Sequence, residues 1–337
     1  MKYIAVVAGR SGGHIVPGIT IAQQYKKKNN DYQILFFATN NALDKQIIEN
    51  NSIEKKVYLS VQNLSRTWYK LPLFATQMAY ATLKSIFTLI RFRPKKLVVM
   101  GGYISLPVTL AAWLLRIPRE LYELNAVPGK ATRILAPFVN SIHVCFKDSI
   151  RFFPTHKTKL SDYPVRFMPD TESQSEARKA LCLSAELPTL LILGGSQGSA
   201  TLNRLIQQCF SDDPSLKNQL QIIHQIGNNS ECDWQTWYKE NGISALSFAF
   251  HHDLRLHYAA ADIIIARAGA GSIFEIKFFN KPCILVPLEI PGNDHQLRNA
   301  IAFAKEYQDA VVVRQGTQDA VQNIVENIKE TLKLVFS

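Results

Sequence analysis

The chain has 337 residues and a mass of 38.0 kDa, a length that suits two domains of roughly 150 residues each. Hydrophobic residues make up 47% and charged residues 19%, which excludes a disordered or low-complexity protein. The net charge of +11 is uneven, because residues 1–160 hold 23 basic and 7 acidic side chains and residues 161–337 hold 15 and 20. A basic half of +16 and an acidic half of −5 predict two domains that face different partners, with nucleic acid and an anionic membrane both open.

Compartment signals are few. The five cysteines are scattered without a Cys-x-x-Cys pair, which argues against a disulfide framework or a zinc site and favours a reducing compartment. The N-terminus reads as a short apolar strand that ends at Gly9, rather than as a signal peptide. Because the chain has no uninterrupted run of 18 apolar residues, we expect no membrane-spanning helix.

Both halves open with an apolar strand, a glycine-rich turn and a helix, as Rossmann-like domains do. In the first half the strand is Lys2–Ala8, the turn covers residues 9–13, and a helix is predicted over Ile19–Lys28. In the second half Thr189–Leu193 leads into the turn at residues 194–198. Further short apolar strands between helical stretches predict parallel sheets covered on both faces. These strands are Gln33–Phe37, Leu97–Met100, Ile142–Phe146, Gln221–Gln225, Ile263–Ala266, Cys283–Val286 and Ala310–Val313.

Charge balance and periodicity restart near Asp162–Pro164, where we expect the linker. The sequence therefore predicts an α/β fold with a first domain over residues 1–163 and a second over residues 164–316. Residues 317–337 are expected to form a closing amphipathic helix that can pack back on the first domain.

A glycine turn before a helix suits anion binding, because glycine lets the backbone approach a phosphate and the helix N-terminus directs N–H groups at it. One such turn is a weak signal, since many only pack a helix on a sheet. Neither turn is a P-loop, and neither is a clean GxGxxG with an acidic residue placed for the ribose of NAD. One turn in each half predicts a diphosphate ligand held in a cleft between the domains.

Six motifs carry a more specific resemblance. In chain order they are Ser11-Gly12-Gly13-His14-Ile-Val-Pro17, Gly101-Gly102-Tyr103-Ile-Ser105-Leu-Pro107, Glu123-Leu-Asn125, Gly194-Gly195-Ser196-Gln197-Gly198, Arg267-Ala-Gly269-Ala270-Gly-Ser272-Ile-Phe-Glu275, and His295-Gln296 with Asn299-Ala300. They resemble the TGGHxxP, GGYxSxP, HEQN, GGSQG, RSGAxTxxE and HQxxNA motifs of the MurG family, the GlcNAc transferases of peptidoglycan synthesis. The order is that of the family, and the resemblance covers nearly the whole chain.

The resemblance implies a GT-B glycosyltransferase, with two Rossmann-like domains whose parallel sheets face a central cleft. It implies inverting transfer of GlcNAc from UDP-GlcNAc to the C4 hydroxyl of the muramic acid in lipid I, which makes lipid II for peptidoglycan and so serves cell shape and division. The first domain would hold the lipid-linked acceptor and the second the UDP-sugar. The implied location is the cytoplasmic face of the bacterial inner membrane, as a peripheral protein. Other cell-wall synthesis proteins would be partners, and nucleic acid would not.

Two side chains compete for the role of general base. His14 follows the glycine pair, and an imidazole with an ordinary pKa near 6.5 suits deprotonation of a sugar hydroxyl. Its alternative role is to orient a ligand. Glu123 follows the strand-like Leu121-Tyr122, near the strand end where α/β sheets place ligands. Its alternative role is to pair with one of the nearby basic residues, and the choice between the two bases stays open.

The resemblance also implies the binding residues. Contacts to UDP-GlcNAc are expected at Ser11, Gly12, Gly13, Asn125, Arg166, Ser196, His251, Ala270, Gly271, Ser272, Glu275 and Gln296, and contacts to the acceptor diphosphate at Gly102, Tyr103 and Ser105. Serine and glycine amides suit a phosphate, a glutamate accepts from ribose hydroxyls, and side-chain amides both donate to and accept from sugar hydroxyls. The plain structural alternatives are helix caps, a carboxylate near a helix N-terminus and turn residues.

We predict no metal and no cofactor. The chain has no Asp-x-Asp, and His251, His252, Asp253 and His257 lack the spacing of a metal site. Four positions depart from the family motifs and put local hydrogen bonds in doubt. They are Arg10, Tyr122, Leu124 and Ala268.

A membrane surface is predicted in the first half. Residues 55–119 contain no acidic side chain and eleven basic ones, Lys95 and Lys96 among them, interleaved with large apolar residues. Phe74–Ile90 is predicted as an amphipathic helix flanked by bases. Such a surface binds anionic lipid, with about 1 kcal/mol from each Lys or Arg. The alternative is an ordinary Rossmann helix whose apolar face lies in the core.

Two other functions stay open. One is a different GT-B enzyme that uses a UDP-sugar, either a lipid glycosyltransferase or a UDP-GlcNAc epimerase, which the Gly101–Pro107 and Glu123–Asn125 motifs disfavour. The other is a basic, non-catalytic nucleic-acid-binding protein. The sequence shows no RNP, KH or zinc-finger pattern to support it.

Overall fold

A computed structural model describes residues 2–9, 12–61, 71–168, 172–195, 197–228, 232–290 and 294–336. The chain forms two compact units, unit 1 over Met1–Arg166 and unit 2 over Phe167–Ser337. The division falls just after the Asp162–Pro164 segment in which we expected the linker. Arg166, which we had assigned to the second domain, is the last residue of unit 1.

Unit 1 is built on a seven-stranded parallel sheet in the order β3-β2-β1-β4-β5-β6-β7. Its strands are β1 Lys2–Val7, β2 Tyr32–Thr39, β3 Lys55–Leu59, β4 Lys96–Val99, β5 Arg119–Glu123, β6 Ser141–Val144 and β7 Thr158–Leu160, and its helices are α1 Gly12–Lys28, α2 Ala42–Glu49, α3 Leu71–Phe92, α4 Ser105–Leu114 and α5 Lys130–Leu135. The chain leaves β1 towards β2 on one side and returns to β4 on the other. The crevice between the carboxyl ends of β1 and β4 is therefore where such a sheet binds ligands.

Unit 2 repeats the plan with a six-stranded parallel sheet in the order β10-β9-β8-β11-β12-β13. Its strands are β8 Thr189–Leu193, β9 Gln221–Gln225, β10 Ala245–Phe248, β11 Ile263–Ala266, β12 Cys283–Leu285 and β13 Ala310–Val312, and its helices are α6 Gln174–Ala180, α7 Ala200–Asp212, α8 Trp234–Glu240, α9 Arg255–Ala260, α10 Ala270–Phe278, α11 His295–Ala304 and α12 Ala320–Phe336. The corresponding crevice lies between β8 and β11.

Apolar side chains of each sheet build the two cores. In unit 1 alternate residues of β1, β4 and β5, such as Val7, Val99 and Leu121, pack against α3 and α4. In unit 2 the strands pack against α7, α8 and α12. The closing helix, which we expected to be able to reach the first domain, has Ile324 and Ile328 in the unit 2 core, and its Lys329 forms an ion pair with Asp213.

Helix α1 begins earlier than the sequence suggested. It starts at Gly12 rather than near Ile19 and carries Pro17 inside it, so His14 lies in its first turns rather than in a loop. Gly18 lets the helix pack closely on the sheet, because a Cβ there would lie 3.1 Å from both Val6 and Met100. Close packing of the helix on the sheet outweighs the poor helix propensity of this segment.

Helix α3 is unusually exposed. It includes the predicted Phe74–Ile90 segment. Pro72–Phe92 is long and apolar enough to cross a membrane, as judged by its length and composition alone, and only 17% of its most apolar window is buried. This criterion tolerates a few polar residues, whereas our expectation of no membrane-spanning helix rested on the lack of an uninterrupted apolar run and stays a prediction. Exposed side chains along this helix form one stripe at helical spacing: Leu73, Tyr80, Leu83, Phe87 and Ile90.

Candidate active site

In unit 1 the carboxyl ends of three adjacent strands bring the first three motifs together. Val7 of β1 pairs with Val99 of β4, and Val99 pairs with Leu121 of β5. His14 and the turn at Gly101 and Gly102 follow β1 and β4, and Glu123 is the last residue of β5. The parallel pairing places these three strand ends side by side at one edge of the sheet.

His14 lies against the turn that follows β4. A Cβ on Gly101 would lie 3.6 Å from its Cε1 atom, and its Nδ1 atom is buried without a hydrogen-bond partner among the described residues. Burial lowers the pKa of His14, whereas the Glu123 carboxylate and a hydrogen bond to the Met100 backbone act to raise it. The ring is therefore held neutral, the form that can accept a proton.

Glu123 is buried, and its carboxylate accepts hydrogen bonds from the loop that follows it. Its Oε1 atom accepts from the backbone N–H of Asn125 at 2.9 Å and from the Asn125 side-chain amide at 3.2 Å. Its Oε2 atom accepts from the N–H of Gly129 at 3.3 Å. The carboxylate thus folds the loop that presents Asn125, while its charge acts on His14.

The turn after β4 has left-handed backbone at Gly101 (φ +87°) and Gly102 (φ +79°), a conformation that glycine adopts without strain. Ser105 is fully buried and donates to the Gly101 carbonyl at 2.5 Å, so its hydroxyl holds the turn. Tyr103 is half-buried against the unit 1 core. Gly102 and Tyr103 remain the residues of this motif that a ligand can reach.

In unit 2 two glycine turns cross in direct backbone contact. A Cβ on Gly198 would lie 2.4 Å from the Gly227 Cα atom, and a Cβ on Gly194 would lie 2.7 Å from the Ser199 nitrogen. Gly198 has φ +76° and Gly227 has φ +87°. Only glycine fits this crossing, which places the turn after β8 at the N-terminus of α7, where backbone N–H groups suit a phosphate.

Arg267 joins the strand ends of unit 2. Leu193 of β8 pairs with Ala266 of β11, so the turn after β8 emerges beside Arg267. The buried guanidinium donates to the Ser199 hydroxyl at 3.1 Å, to the Val286 carbonyl at 3.0 Å and to the Gln315 side chain at 2.8 Å. Burial lowers the pKa of Arg267 to about 10, so it remains a cation at neutral pH. Its acceptors among the described residues are neutral groups.

Helix α10 presents the next predicted group. Gly269 is its N-cap residue, so Ala270, Gly271 and Ser272 form its first turn, and all three are half-buried. Glu275 follows Gly271 by four residues and therefore lies on the same helix face. The sequence prediction that this carboxylate lies in the first turns of a helix is confirmed.

The other predicted donor-site residues lie as follows. Gln296 is in the first turn of α11, and its Oε1 atom accepts from the Leu288 N–H at 2.9 Å. His251 is exposed in the loop after β10, and its Nδ1 atom accepts from the Asp253 N–H at 3.2 Å. Arg166 is exposed. Gly12 and Gly13 begin α1, whereas Ser11 and Ser196 lie outside the described residues.

One prediction for the membrane surface was wrong. Lys96 forms an ion pair with Glu120 at 2.6 Å and lies over the Tyr25 ring at 4.6 Å. Side chains alternate along a strand, and Leu97 is the one that joins the core with α3 and α4. Lys96 therefore points to the opposite face of the sheet. Within the described ranges, no group of three or more His, Cys, Asp or Glu side chains is arranged to hold a metal ion.

Comparison with known proteins assigns the family. The N-terminal domain of glycosyltransferase family 28 matches residues 4–144, and its C-terminal domain matches residues 189–334. The UDP-N-acetylglucosamine--N-acetylmuramyl-(pentapeptide) pyrophosphoryl-undecaprenol N-acetylglucosamine transferase of Trichlorobacter lovleyi is 31% identical over 99% of this chain and 92% of its own length. The chain belongs to the MurG family. The transferase of the same name from Syntrophus aciditrophicus is 30% identical over 90% of the chain and 82% of its own length.

Solved structures share the GT-B fold of the MurG family. Acinetobacter baumannii MurG superposes with a TM-score of 0.75 at 23% identity, covering 98% of this chain and 92% of that one. The UDP-GlcNAc 2-epimerase of Neisseria meningitidis, bound to UDP-GlcNAc, superposes with a TM-score of 0.65 at 13% identity, covering 99% and 92%. The predicted fold class is confirmed, and the chain is a glycosyltransferase by family.

Sequence reasoning missed two parts of this MurG-family site. Arg267 was noted only as a motif letter, although a cation directly after the buried strand Ile263–Ala266 is an unusual placement that signals a role at the strand ends. Thr132, whose hydroxyl would lie 3.1 Å from a Cβ on Gly101, had no sequence signal, because α5 reaches the turn only in three dimensions.

Proposed function

We propose that this chain transfers GlcNAc from UDP-GlcNAc to the muramic acid C4 hydroxyl of lipid I, with inversion, to form lipid II. The observation that carries the proposal is the identity of 31% to a transferase of that name over 99% of this chain. Five of the six family motifs lie at or shortly after strand ends of two Rossmann-like units, and the sixth lies on α11. Unit 2 binds the UDP-sugar through the Gly194–Gly198 turn, Glu275 and Gln296. Unit 1 binds the acceptor through Gly102 and Tyr103.

Within this proposal His14 is the general base. Its ring is neutral and its Nδ1 atom is unpaired among the described residues, whereas both oxygens of Glu123 already accept backbone hydrogen bonds. His14 takes the proton of the C4 hydroxyl as the oxygen attacks the anomeric carbon, and UDP leaves. Glu123 holds the Asn125 loop and stabilises the imidazolium that forms. Backbone N–H groups at the start of α7 and the Arg267 cation stabilise the leaving diphosphate.

The decisive experiment incubates the protein with radiolabelled UDP-GlcNAc and a lipid I analogue, with and without EDTA. Formation of the disaccharide lipid in both samples is expected. Appearance of a C2 epimer of the sugar without acceptor would instead favour the epimerase alternative, and loss of turnover with EDTA would overturn the metal-independent mechanism. His14→Gln should lower kcat by about 100-fold or more, the usual contribution of general base catalysis, while His143→Gln, a half-buried histidine of β6, serves as the matched control.

We also propose that unit 1 binds the anionic cytoplasmic face of the membrane through the α3 stripe, defined as Leu73, Tyr80, Leu83, Phe87 and Ile90. Support comes from the exposure of these side chains and from the exposed bases Lys84, Arg91 and Arg93. Large apolar side chains that enter a lipid interface, beside bases that attract anionic headgroups, are the two elements of peripheral membrane binding.

Vesicle sedimentation tests this proposal. Phe87 is 71% exposed, and Leu334 of α12, at 79%, is a matched control. Burying one such side chain contributes about 1.5–3 kcal/mol, so Phe87→Ser should weaken binding to vesicles with anionic lipid by roughly tenfold or more. Leu334→Ser should have no effect. Equal binding by both variants would remove α3 from the membrane face.

A further inference from the structure

Three buried side chains of unit 2 form a hydrogen-bonded series that the proposed mechanism does not use. Tyr238 comes from α8, His224 from β9 and Asn203 from α7, and each is nearly inaccessible to solvent. The Tyr238 hydroxyl lies 2.9 Å from His224 Nδ1. His224 Nε2 lies 3.2 Å from Asn203 Oδ1, and Asn203 Nδ2 lies 3.0 Å from the Ile226 carbonyl. The series spans three elements and ends on the backbone.

The chemistry of the groups fixes the direction of every bond in the series. A carbonyl only accepts, so Asn203 donates its amide to Ile226 and presents its oxygen to His224. His224 must then donate from Nε2, which leaves Nδ1 to accept from the Tyr238 hydroxyl. Burial lowers the pKa of His224 to about 3, so the ring is neutral at physiological pH. One tautomer and one amide orientation satisfy all members.

The series ends beside the proposed diphosphate turn. A Cβ on Gly198 would lie 2.6 Å from the Ile226 carbonyl oxygen that Asn203 holds. On its other side the same segment joins β10, because the Ile226 N–H donates to the Phe248 carbonyl at 2.9 Å and the Gly227 N–H donates to the Ala249 carbonyl at 3.1 Å. Ile226 and Gly227 are therefore wedged between the Gly198 turn and the loop that carries His251.

We propose that His224 and Asn203 are positioning residues for nucleoside diphosphate binding. They hold the Ile226–Gly227 wedge against Gly198 and thereby set the phosphate-binding turn in register with the loop after β10. This inference rests on the proposed assignment of the donor site to unit 2. The glycines make the close crossing sterically feasible, and the buried series holds the crossing in one position. Tyr238 acts at the far end, where its hydroxyl donates to Nδ1 of the tautomer that Asn203 selects.

The test compares UDP affinity, measured by calorimetry, with KM and kcat for UDP-GlcNAc in four variants. Removing one partner of a buried hydrogen bond leaves the other partner unsatisfied, and the resulting loss of free energy corresponds to about a tenfold change in a dissociation constant. His224→Leu and Asn203→Ala should each raise the Kd for UDP and the KM for UDP-GlcNAc by about tenfold, with a smaller change in kcat. His224→Gln keeps a donor towards Asn203 and should recover most of the affinity. The control Ile324→Ala creates a cavity in the same core and should lower stability while leaving UDP affinity unchanged.

The possible outcomes test the positioning role and the donor-site assignment separately. If the wild-type protein binds UDP and His224→Leu and Asn203→Ala bind it equally well, the positioning role is overturned and the donor site stands. If Ile324→Ala weakens UDP binding as much as they do, the effect is one of general stability and the inference also fails. A wild-type protein that binds no UDP would overturn the donor-site proposal itself. Should His224→Leu fail to fold, Asn203→Ala and His224→Gln carry the same comparison.

Discussion

The crossing of the two glycine turns in unit 2 makes Gly198→Ala a severe substitution. Gly198 has φ +76°, and placing a residue with a Cβ in left-handed backbone costs about 1–2 kcal/mol. The new Cβ would also lie 2.4 Å from the Gly227 Cα atom, more than 1 Å inside ordinary contact, and such overpacking costs about 1–3 kcal/mol. Together these effects should destabilise unit 2 by about 2–5 kcal/mol and separate the two turns.

Gly242→Ala measures the cost of left-handed backbone without the steric clash, because Gly242 has φ +68° and nothing lies within 4 Å of its Cβ position. We expect this control to lose about 1–2 kcal/mol and to bind UDP normally. Urea unfolding followed by circular dichroism gives the free energies of unfolding, and calorimetry gives the Kd for UDP, which should rise at least tenfold in Gly198→Ala alone. The reasoning is refuted if Gly198→Ala is as stable as Gly242→Ala, or if it is less stable and still binds UDP with wild-type affinity.

Three further substitutions test buried charge in the two units. Because the Glu123 carboxylate raises the pKa of His14, Glu123→Gln should move the acid limb of the kcat/KM profile to lower pH; an unmoved limb would show that another group titrates. Burial lowers the pKa of His224 to about 3 in the folded protein, from 6.5 for an ordinary histidine. The unfolded chain therefore binds a proton first as pH falls below 6.5, and the folded state loses roughly 2 kcal/mol of stability at pH 5. His224→Gln should reduce this slope in urea unfolding, and an equally steep slope would contradict the assignment. Arg178→Met leaves the buried Asp262 carboxylate without its ion-pair partner and should lower the free energy of unfolding by about 3–5 kcal/mol. The control Arg298→Met breaks an exposed ion pair and should cost less than about 1 kcal/mol. Equal losses in the two variants would contradict the role of burial.

Much of the fold was predictable, because the central strands of both sheets are short continuous apolar runs. Strands β3, β7 and β10 were not predicted. The strand β3, Lys55–Leu59, begins with two lysines. The strands β3, β7 and β10 all lie at sheet edges, where one side of the strand has no neighbouring strand and fewer of its residues need to be apolar. The early start of α1 was missed for a different reason, since the helix packs through Gly18 on Val6 of β1 and on Met100 after β4, which only the folded sheet brings near.

The motif residues of the site were found by pattern, but their working geometry was not. Nothing in the letters Glu123-Leu-Asn125 indicates that both carboxylate oxygens are engaged by backbone N–H groups. The His224 series escaped detection because its hydrogen-bonded pairs are separated by 14 and 21 residues and lie on three elements. The Lys96 error was avoidable, since Leu97 is apolar and neighbouring strand residues point to opposite faces.

The cation at Arg267 lies in the half of the chain whose overall charge is negative. Residues 161–337 carry 15 basic and 20 acidic side chains, so the net charge of this half by itself repels a nucleotide-sugar weakly at long range, and attraction within this half arises only at the strand ends. Salt screens the first effect beyond about 8–10 Å and the second much less. Residues 1–160, at +16, attract anions at long range. Rising ionic strength should therefore slow capture of a lipid diphosphate by the basic half more than it slows binding of the donor at the strand ends of unit 2.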